Sequence, residues 1–181
     1  MNHEDHVHLL RGGVPTPQPD GVWADLGSGW GAFTLALADL LGPGATIHSV
    51  DKDRSSLRGQ EAEMRARFPA ANVHYVQADF TKRLNLPALD GIVMANALHF
   101  VRRKKPLLDM IRSYLKPQGR LILVEYNADF GNPWVPFPLS YPAWESLASR
   151  CGFASTQLLT TVPSRFLREI YSALSLVGSR R

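Results

Sequence analysis

The chain has little cysteine and no long apolar run, and both absences narrow the class of protein. Its single cysteine, Cys151, excludes a framework of internal disulfides. No apolar stretch approaches the roughly 20 residues that a transmembrane helix needs. The N-terminus shows no basic segment followed by an apolar one, as a secretory leader would. We therefore expect a soluble, cytoplasmic protein with no membrane association.

The chain also lacks a large net charge of either sign. The formal net charge of +4 permits an anionic partner without requiring one. The basic run at residues 102–105 is not interleaved with aromatic side chains, so a nucleic-acid partner is disfavoured. The 181 residues suffice for one sizeable core and are few for two domains. Three prolines between residues 15 and 19 predict that residues 1–20 form an extended lead-in or lid, with one domain over residues 21–181.

Short apolar strands alternate with helical patterns along most of the chain. This alternation predicts an α/β protein with a mostly parallel sheet covered on both faces. The last apolar segment, residues 166–176, fits either a strand or a helix face, and we favour a strand that closes the sheet edge. The predicted strands are 22–26, 45–51, 72–78, 89–95, 120–125 and 155–162, and the predicted helices are 29–41, 54–68, 104–115 and 142–150.

A glycine-rich turn follows the first predicted strand. Residues 22–31 run from an apolar strand through Asp25 into three alternating glycines and a helix. Glycine tolerates the backbone angles of such a turn, and its missing side chain lets a ligand approach the main chain. The helix that follows directs its free N–H groups and positive dipole end toward that ligand. The pattern is typical of a nucleotide-type cofactor site.

Two kinds of cofactor fit this turn. Gly27, Gly29 and Ala32 satisfy the dinucleotide fingerprint, whereas residues 25–31 satisfy the acid-x-Gly-x-Gly-x-Gly pattern of S-adenosylmethionine (SAM) enzymes. Asp51, at the end of the second strand, would bind the ribose hydroxyls of either. Asp25 favours SAM, because its carboxylate would repel a pyrophosphate but would attract the methionine ammonium.

The ordered set of motifs resembles the class I SAM-dependent methyltransferases from Gly21 to the C-terminus. The matching segments are 25–31, 50–51, 77–80, 90–100, 115–121 and 149–153. Gln118 departs from the family pattern, which has glycine there. The resemblance implies a three-layer Rossmann-like methyltransferase fold with a seven-stranded sheet in the order 3-2-1-4-5-7-6, strand 7 being antiparallel. It also implies SAM as the cofactor and S-adenosylhomocysteine as the product.

The resemblance further implies which residues surround the cofactor. Asp25 would hold the methionine ammonium directly or through water, and Asp51 would bind the ribose diol. The glycine turn would contact the methionine and ribose through its backbone, and Lys52 would cover one face of the adenine. Asp79 would accept from the adenine amino group. The implied cofactor-binding residues are Asp25, Gly27, Ser28, Gly29, Asp51, Lys52, Asp79, Phe80 and Asn96.

Methyl transfer from a sulfonium is an in-line displacement, so the protein mainly aligns the reactants. A base is needed only where the acceptor must lose a proton. His99, just past the fourth strand, is the candidate catalytic base, since imidazole titrates near neutrality. Glu125 and Tyr126 are weaker candidates. Cys151 has the setting of a packing residue rather than a nucleophile.

The predicted activity is methyl transfer to O, N or C of a small-molecule acceptor. Alternatives are a non-catalytic SAM-fold binding protein, a methyltransferase acting on RNA or another macromolecule, and an NAD-dependent oxidoreductase. We expect no metal site, although residues 3–8 are rich in histidine. Both a monomer and a homodimer are compatible with the sequence. An apolar lid is hypothesised from Leu9, Leu10, Trp134, Val135, Phe137 and Tyr141.

Overall fold

In the computed structural model, which describes residues 1–164 and 166–179, seven strands form one sheet in the order β3-β2-β1-β4-β5-β7-β6. The first five strands in this order are parallel, and β7 is antiparallel to both of its neighbours. The predicted fold class is confirmed, and the ambiguous last segment is a strand. The strands are β1 (Val22–Leu26), β2 (Thr46–Asp51), β3 (Asn72–Gln77), β4 (Leu89–Ala95), β5 (Leu115–Tyr126), β6 (Phe153–Pro163) and β7 (Glu169–Val177).

Helices cover both faces of the sheet. The α-helices are α1 (His3–Arg11), α2 (Ala32–Leu41), α3 (Arg54–Arg67), α4 (Lys104–Tyr114) and α5 (Tyr141–Arg150), and a 3-10 turn follows β4 at Leu98–Phe100. One core cluster joins α1 and α2 to the sheet, and a second joins α4 and α5 to the other face. Central strands β1 and β4 and the second half of β5 are almost continuously buried, as expected for parallel strands covered on both sides.

The strand order reverses at β1. Its two neighbours are β2 and β4, so the connections leaving β1 and β4 run toward opposite edges of the sheet. A crevice opens at the carboxyl ends of the strands at such a switch point, and ligands of open α/β sheets bind there. This position is where the glycine turn and the 3-10 turn meet.

The prediction that residues 1–20 are extended is wrong, because α1 occupies residues 3–11. The Asn2 side chain accepts from the Asp5 N–H, and the Asp5 side chain accepts from the Asn2 N–H, which forms a capping box. The prolines that argued against a helix lie beyond its end.

Two hypothesised lid residues on α1, Leu9 and Leu10, belong to the core. Both are fully buried in the cluster that includes α2, and the Leu9 carbonyl accepts a hydrogen bond from the Ser172 hydroxyl on β7. Val135 is also buried, whereas Trp134 is 77% exposed. These positions contradict an apolar lid made from this whole set.

Smaller differences concern element ends. β5 begins at Leu115, where a turn was predicted over residues 116–119, and the pairing with β4 is irregular between Leu89 and Gly91. α2 begins at Ala32 rather than Gly29. Cys151 is buried, as predicted for a packing residue. Within residues 1–164 and 166–179, no helix is long and apolar enough to cross a membrane.

Candidate active site

The turn between β1 and α2 adopts left-handed backbone at all three of its glycines. Their φ angles are 79° at Gly27, 52° at Gly29 and 84° at Gly31, a region that other residues seldom occupy. A Cβ on Gly27 would lie 2.8 Å from the Ala97 Cβ, whereas one on Gly29 would meet nothing within 4 Å. The turn therefore packs closely against the segment after β4 at one glycine and presents bare backbone at the other.

A cleft of about 420 Å³ opens beside this turn, at the carboxyl ends of the strands. It brings together six of the nine residues predicted to surround the cofactor. Its aromatic rim includes Phe100, which sequence analysis did not single out. The six predicted residues that line it are Gly27, Asp51, Lys52, Asp79, Phe80 and Asn96.

Asp51 holds the glycine turn from the end of β2. Its Oδ2 accepts from the Gly29 N–H at 2.8 Å, and its Oδ1 accepts from the Asp53 N–H at 2.8 Å. A carboxylate offers about four lone-pair sites, so both oxygens can accept further hydrogen bonds from a ligand in the cleft. The backbone contacts fix the orientation of the carboxylate before any ligand binds.

Asp79 lies in the turn after β3. Its Oδ1 accepts from the Thr81 hydroxyl at 2.7 Å and from the Thr81 N–H at 2.9 Å. These bonds lower the pKa of the Asp79 carboxyl, so it is ionised at neutral pH. The neighbouring Phe80 ring packs beside Gly27, where an added Cβ would lie 3.1 Å from it. The cleft therefore combines an anionic acceptor with an aromatic wall.

Asn96 stands at the end of β4 with a left-handed backbone, φ being 51°. Asparagine is one of the few non-glycine residues that adopt this conformation readily. Its side-chain Oδ1 is buried and has no hydrogen-bond partner within residues 1–164 and 166–179. A buried acceptor without a partner is costly, and a donor supplied by a bound molecule would satisfy it.

Asp25 does not line the cleft. It is 1% exposed, beneath the glycine turn, and its Oδ2 accepts from the Thr34 hydroxyl at 2.7 Å. The Ser49 hydroxyl lies 3.4 Å from that of Thr34 and donates to Gln60 Oε1 at 2.7 Å. Together with Ser28, whose hydroxyl oxygen lies 2.8 Å from that of Ser49, these residues form a buried polar network.

Gln60 completes this network from α3, and the sequence analysis missed it. Its Nε2 donates to the Ser28 hydroxyl and to the Gly29 carbonyl, each at 3.0 Å. The Gln60 side chain therefore holds the glycine turn through two hydrogen bonds. A signal was available, because Gln60 falls three residues after Leu57 and four before Met64, on the buried face of the helix.

Burial raises the pKa of Asp25 to about 7, against the opposing hydrogen bond from Thr34. Between about pH 4 and pH 7 the folded protein keeps this proton, whereas the unfolded chain has lost it. The contribution of Asp25 to the free energy of unfolding therefore falls as pH rises. We expect Asp25→Asn to remove this pH-dependent contribution. As pH rises from about 4 to 7, the free energy of unfolding of the variant should increase relative to that of the parent by on the order of a few kcal/mol.

Urea unfolding of both proteins at pH 4, 5.5, 7 and 8 measures this difference. Asp20→Asn, which changes an exposed acid, is the matched control and should follow the parent at each pH. A constant difference between Asp25→Asn and the parent across the series would contradict a buried, protonated Asp25.

His99 and Glu125 form a buried pair beside the cleft. His99 lies in the 3-10 turn after β4 and is 3% exposed, and Glu125, near the end of β5, is fully buried. The His99 Nδ1 lies 2.9 Å from Glu125 Oε2 and 3.0 Å from Oε1, and the His99 N–H donates to Oε1 at 3.0 Å. This arrangement fixes the ring and assigns the Nδ1 proton to the side facing the carboxylate.

The rest of the imidazole is enclosed by aromatic rings. Its centroid lies 4.2 Å from that of Phe100, which lines the cleft, and 5.7 Å from that of Tyr126. The His99 carbonyl accepts from the Phe137 N–H at 3.0 Å, and the Lys104 ammonium donates to the Phe137 carbonyl. The loop after β5 therefore supports the pair. Nε2 is the nitrogen that remains for proton transfer.

The histidine-rich N-terminus does not gather metal ligands. In the part of the chain that the structure describes, no three or more His, Cys, Asp or Glu side chains are grouped so as to hold a metal ion. Instead, the His3 Nε2 lies 3.0 Å from the Asp39 Oδ2, and the ring centroids of His6 and Phe33 are 4.8 Å apart. These side chains attach α1 to α2.

The sequence of this chain is similar to those of known methyltransferases. A family model described as a methyltransferase domain matches residues 18–153. The ubiquinone/menaquinone biosynthesis C-methyltransferase UbiE of Pasteurella multocida is 32% identical over 111 residues, which cover 60% of this chain. The matched region spans only 41% of that relative's own length.

Solved structures share the fold at low sequence identity. The YcgJ protein of Bacillus subtilis superposes with a TM-score of 0.79 at 13% identity, covering 99% of this chain and all of that one. The 1,6-didemethyltoxoflavin-N1-methyltransferase of Burkholderia thailandensis, solved with S-adenosylhomocysteine, gives 0.74 at 16% identity and covers 98% of this chain and 78% of its own. At these identities the likeness shows the fold alone.

Proposed function

This chain belongs to the methyltransferase-domain family, and from that premise we propose that it transfers the methyl group of SAM to a small-molecule acceptor. The observation that carries the proposal is that Gly27, Asp51, Asp79, Phe80 and Asn96 line one cleft together. The domain that does this is proposed to be residues 21–181, with α1 packed against it. A cytoplasmic location is part of the proposal.

The residues of the cleft fit SAM. Asp51 would accept from the ribose diol, and Asp79 would accept from the adenine amino group beside the Phe80 ring. The unpartnered Oδ1 of Asn96 would accept from an N–H of the cofactor. Two carboxylates in one cleft suit a cofactor that carries positive charge and oppose the pyrophosphate of a dinucleotide.

The remaining predicted residues act from the turn. Ser28 and Gly29 would contact the methionine through their backbone, and Lys52 would lie over the adenine. Asp25 would act on the ammonium through water, because its carboxylate is buried and does not line the cleft. When bound, SAM supplies a methyl group on a positively charged sulfur that departs as a neutral thioether.

We propose that His99 accepts a proton from the acceptor. Glu125 accepts from Nδ1–H, which orients the ring, and its carboxylate stabilises the imidazolium that forms when Nε2 takes up the proton. A base in this position suits acceptors that must lose a proton as they react, namely a hydroxyl or an activated carbon. The Pasteurella relative, named as a C-methyltransferase, supports a carbon acceptor.

Titration calorimetry with SAM, S-adenosylhomocysteine and NAD tests the proposal. We expect both sulfur compounds to bind and NAD not to bind. Binding of NAD without SAM would overturn the proposal in favour of an oxidoreductase. Incubation with methyl-labelled SAM and separate small-molecule and RNA pools, followed by mass spectrometry, distinguishes an enzyme from a protein that only binds the cofactor.

A further inference from the structure

A second cavity, of about 490 Å³, adjoins the cofactor cleft. We call it the acceptor chamber. Asn96 lines both cavities, so the two meet at the end of β4. Its volume falls in the range of roughly 300–1,000 Å³ that is usual for small-molecule sites. The residues on which the argument rests are Met1, Asp5, Asn96, Tyr126, Phe166 and Ile170.

The walls of the acceptor chamber come mostly from outside the family match. The match covers residues 18–153, so of the chamber residues only Asn96 and Tyr126 fall within it. Met1 and Asp5 come from the start of α1, and the remaining wall comes from the β6–β7 hairpin. Most of the chamber wall therefore lies in segments that the family model does not cover.

Part of the chamber wall is anchored. The capping box fixes Asp5 at the start of α1, and the Leu9 carbonyl is bonded to the Ser172 hydroxyl of β7. Ile170 is buried where β7 pairs with the end of β5 at Tyr126. These parts of the wall are preformed, which lowers the entropic cost of ordering a ligand, whereas Phe166 lies in the loop between β6 and β7.

The acceptor chamber contains an aromatic corner. The rings of Tyr126 and Phe166 have centroids 6.5 Å apart and planes at 79°, and Phe166 is 65% exposed. A flat ring laid against one of them meets the edge of the other, and both contacts are favourable for aromatic groups. Polar atoms are also present, because Asp5 offers a carboxylate and Asn96 an amide.

The proposed base stands next to this corner. The His99 ring contacts Tyr126 on the chamber side and Phe100 on the cofactor side, with centroids 5.7 Å and 4.2 Å away. His99 itself is 3% exposed and does not line the chamber, so Tyr126 is the chamber residue that contacts it. A hydroxyl on a ring held against Tyr126 would become an activated nucleophile when its proton is removed.

We propose that the acceptor chamber binds a planar aromatic acceptor that carries an ionisable hydroxyl, with its ring against Tyr126 and Phe166. This inference rests on the proposed function, since it identifies the substrate class of the same site. It assigns recognition to the aromatic corner and to the parts of the chain outside the family match.

Calorimetry on the full chain saturated with S-adenosylhomocysteine tests the inference, with 2-naphthol and decahydro-2-naphthol as probes. The two share a skeleton and a hydroxyl but differ in flatness. We expect 2-naphthol to bind about tenfold more tightly, and Phe166→Ala to remove about that factor. Phe166→Trp should retain binding, because it keeps a flat ring.

Phe130→Ala is the matched control, since Phe130 is equally an exposed phenylalanine but lines a different cavity. It should leave 2-naphthol affinity unchanged. Equal binding of the two probes, no binding of 2-naphthol, or no effect of Phe166→Ala would each overturn the inference. If S-adenosylhomocysteine binds in those cases, the proposed function stands and only the chamber assignment fails; if it does not bind the parent, both fail.

Discussion

Replacing His99 with asparagine is expected to lower the rate of methyl transfer by about 10²–10⁴-fold, with the affinity for SAM little changed. The asparagine amide can still donate to Glu125 in place of Nδ1, but it cannot accept a proton as Nε2 does. His99 does not line the cofactor cleft, so the cofactor contacts survive the change. Single-turnover kinetics measures the rate, with an acceptor found in the incubation with methyl-labelled SAM. Calorimetry measures SAM affinity.

His74→Asn is the matched control, because His74 is an exposed histidine on β3 whose ring stacks on His48, away from the pair. It should turn over at the parent rate. Glu125→Gln should also slow the reaction, since it removes the charge that stabilises the imidazolium. Turnover of His99→Asn at the parent rate would show that His99 is not the base.

Asp51→Asn is expected to weaken SAM binding by about 10- to 100-fold, the loss expected when hydrogen bonds to a charged acceptor are impaired. The amide keeps one oxygen for the Gly29 N–H or the Asp53 N–H but cannot accept at both positions. It also places an N–H where the ribose hydroxyls would donate. Calorimetric titration with SAM and with S-adenosylhomocysteine should show the same factor for both ligands.

Asp53→Asn is the control for this change. Asp53 is two residues away and caps α3 through the Ser55 and Ser56 N–H groups, but it does not line the cleft. Its variant is expected to lose some helix stability and to keep SAM affinity. Parent-like affinity in Asp51→Asn would contradict the ribose assignment, while equal losses in both variants would trace the effect to the shape of the turn.

Local patterns predicted the central strands because each contains a short apolar stretch. In β4 and β5 these stretches are residues 92–95 and 121–124, which are buried as expected for parallel strands covered on both faces. The order 3-2-1-4-5-7-6 came from the family resemblance, because strand alternation alone does not specify which strands are neighbours. The same resemblance decided residues 166–176, whose apolar spacing fits a helix as well as a strand.

Errors arose where a local signal competed with a contact distant in sequence. Three prolines suggested that the whole lead-in is extended, but the capping box of Asn2 and Asp5 starts a helix before them. Apolar side chains such as Leu10 suggested a lid, and the structure buries them against α2. The distinction between a covering residue and a core residue depends on what lies opposite, which the sequence does not state.

The amino-acid sequence by itself determined the glycine turn, which depends on residue types at fixed short spacing, and its ordered motifs identified the cofactor class. It also predicted Asp51 and, through the family resemblance, the Asp79-Phe80 pair as cofactor-binding residues, and all three line the cleft. Only the tertiary structure decided that Asp25 lies beneath the turn, that Gln60 clamps it, and that His99 pairs with Glu125 across 26 residues. The acceptor chamber also belongs to the tertiary structure, since it joins Met1 and Asp5 to Phe166. Such contacts arise when the sheet brings distant segments to one edge, and burial then makes the pKa of a carboxyl or the pairing of a histidine depend on neighbours that local sequence cannot supply.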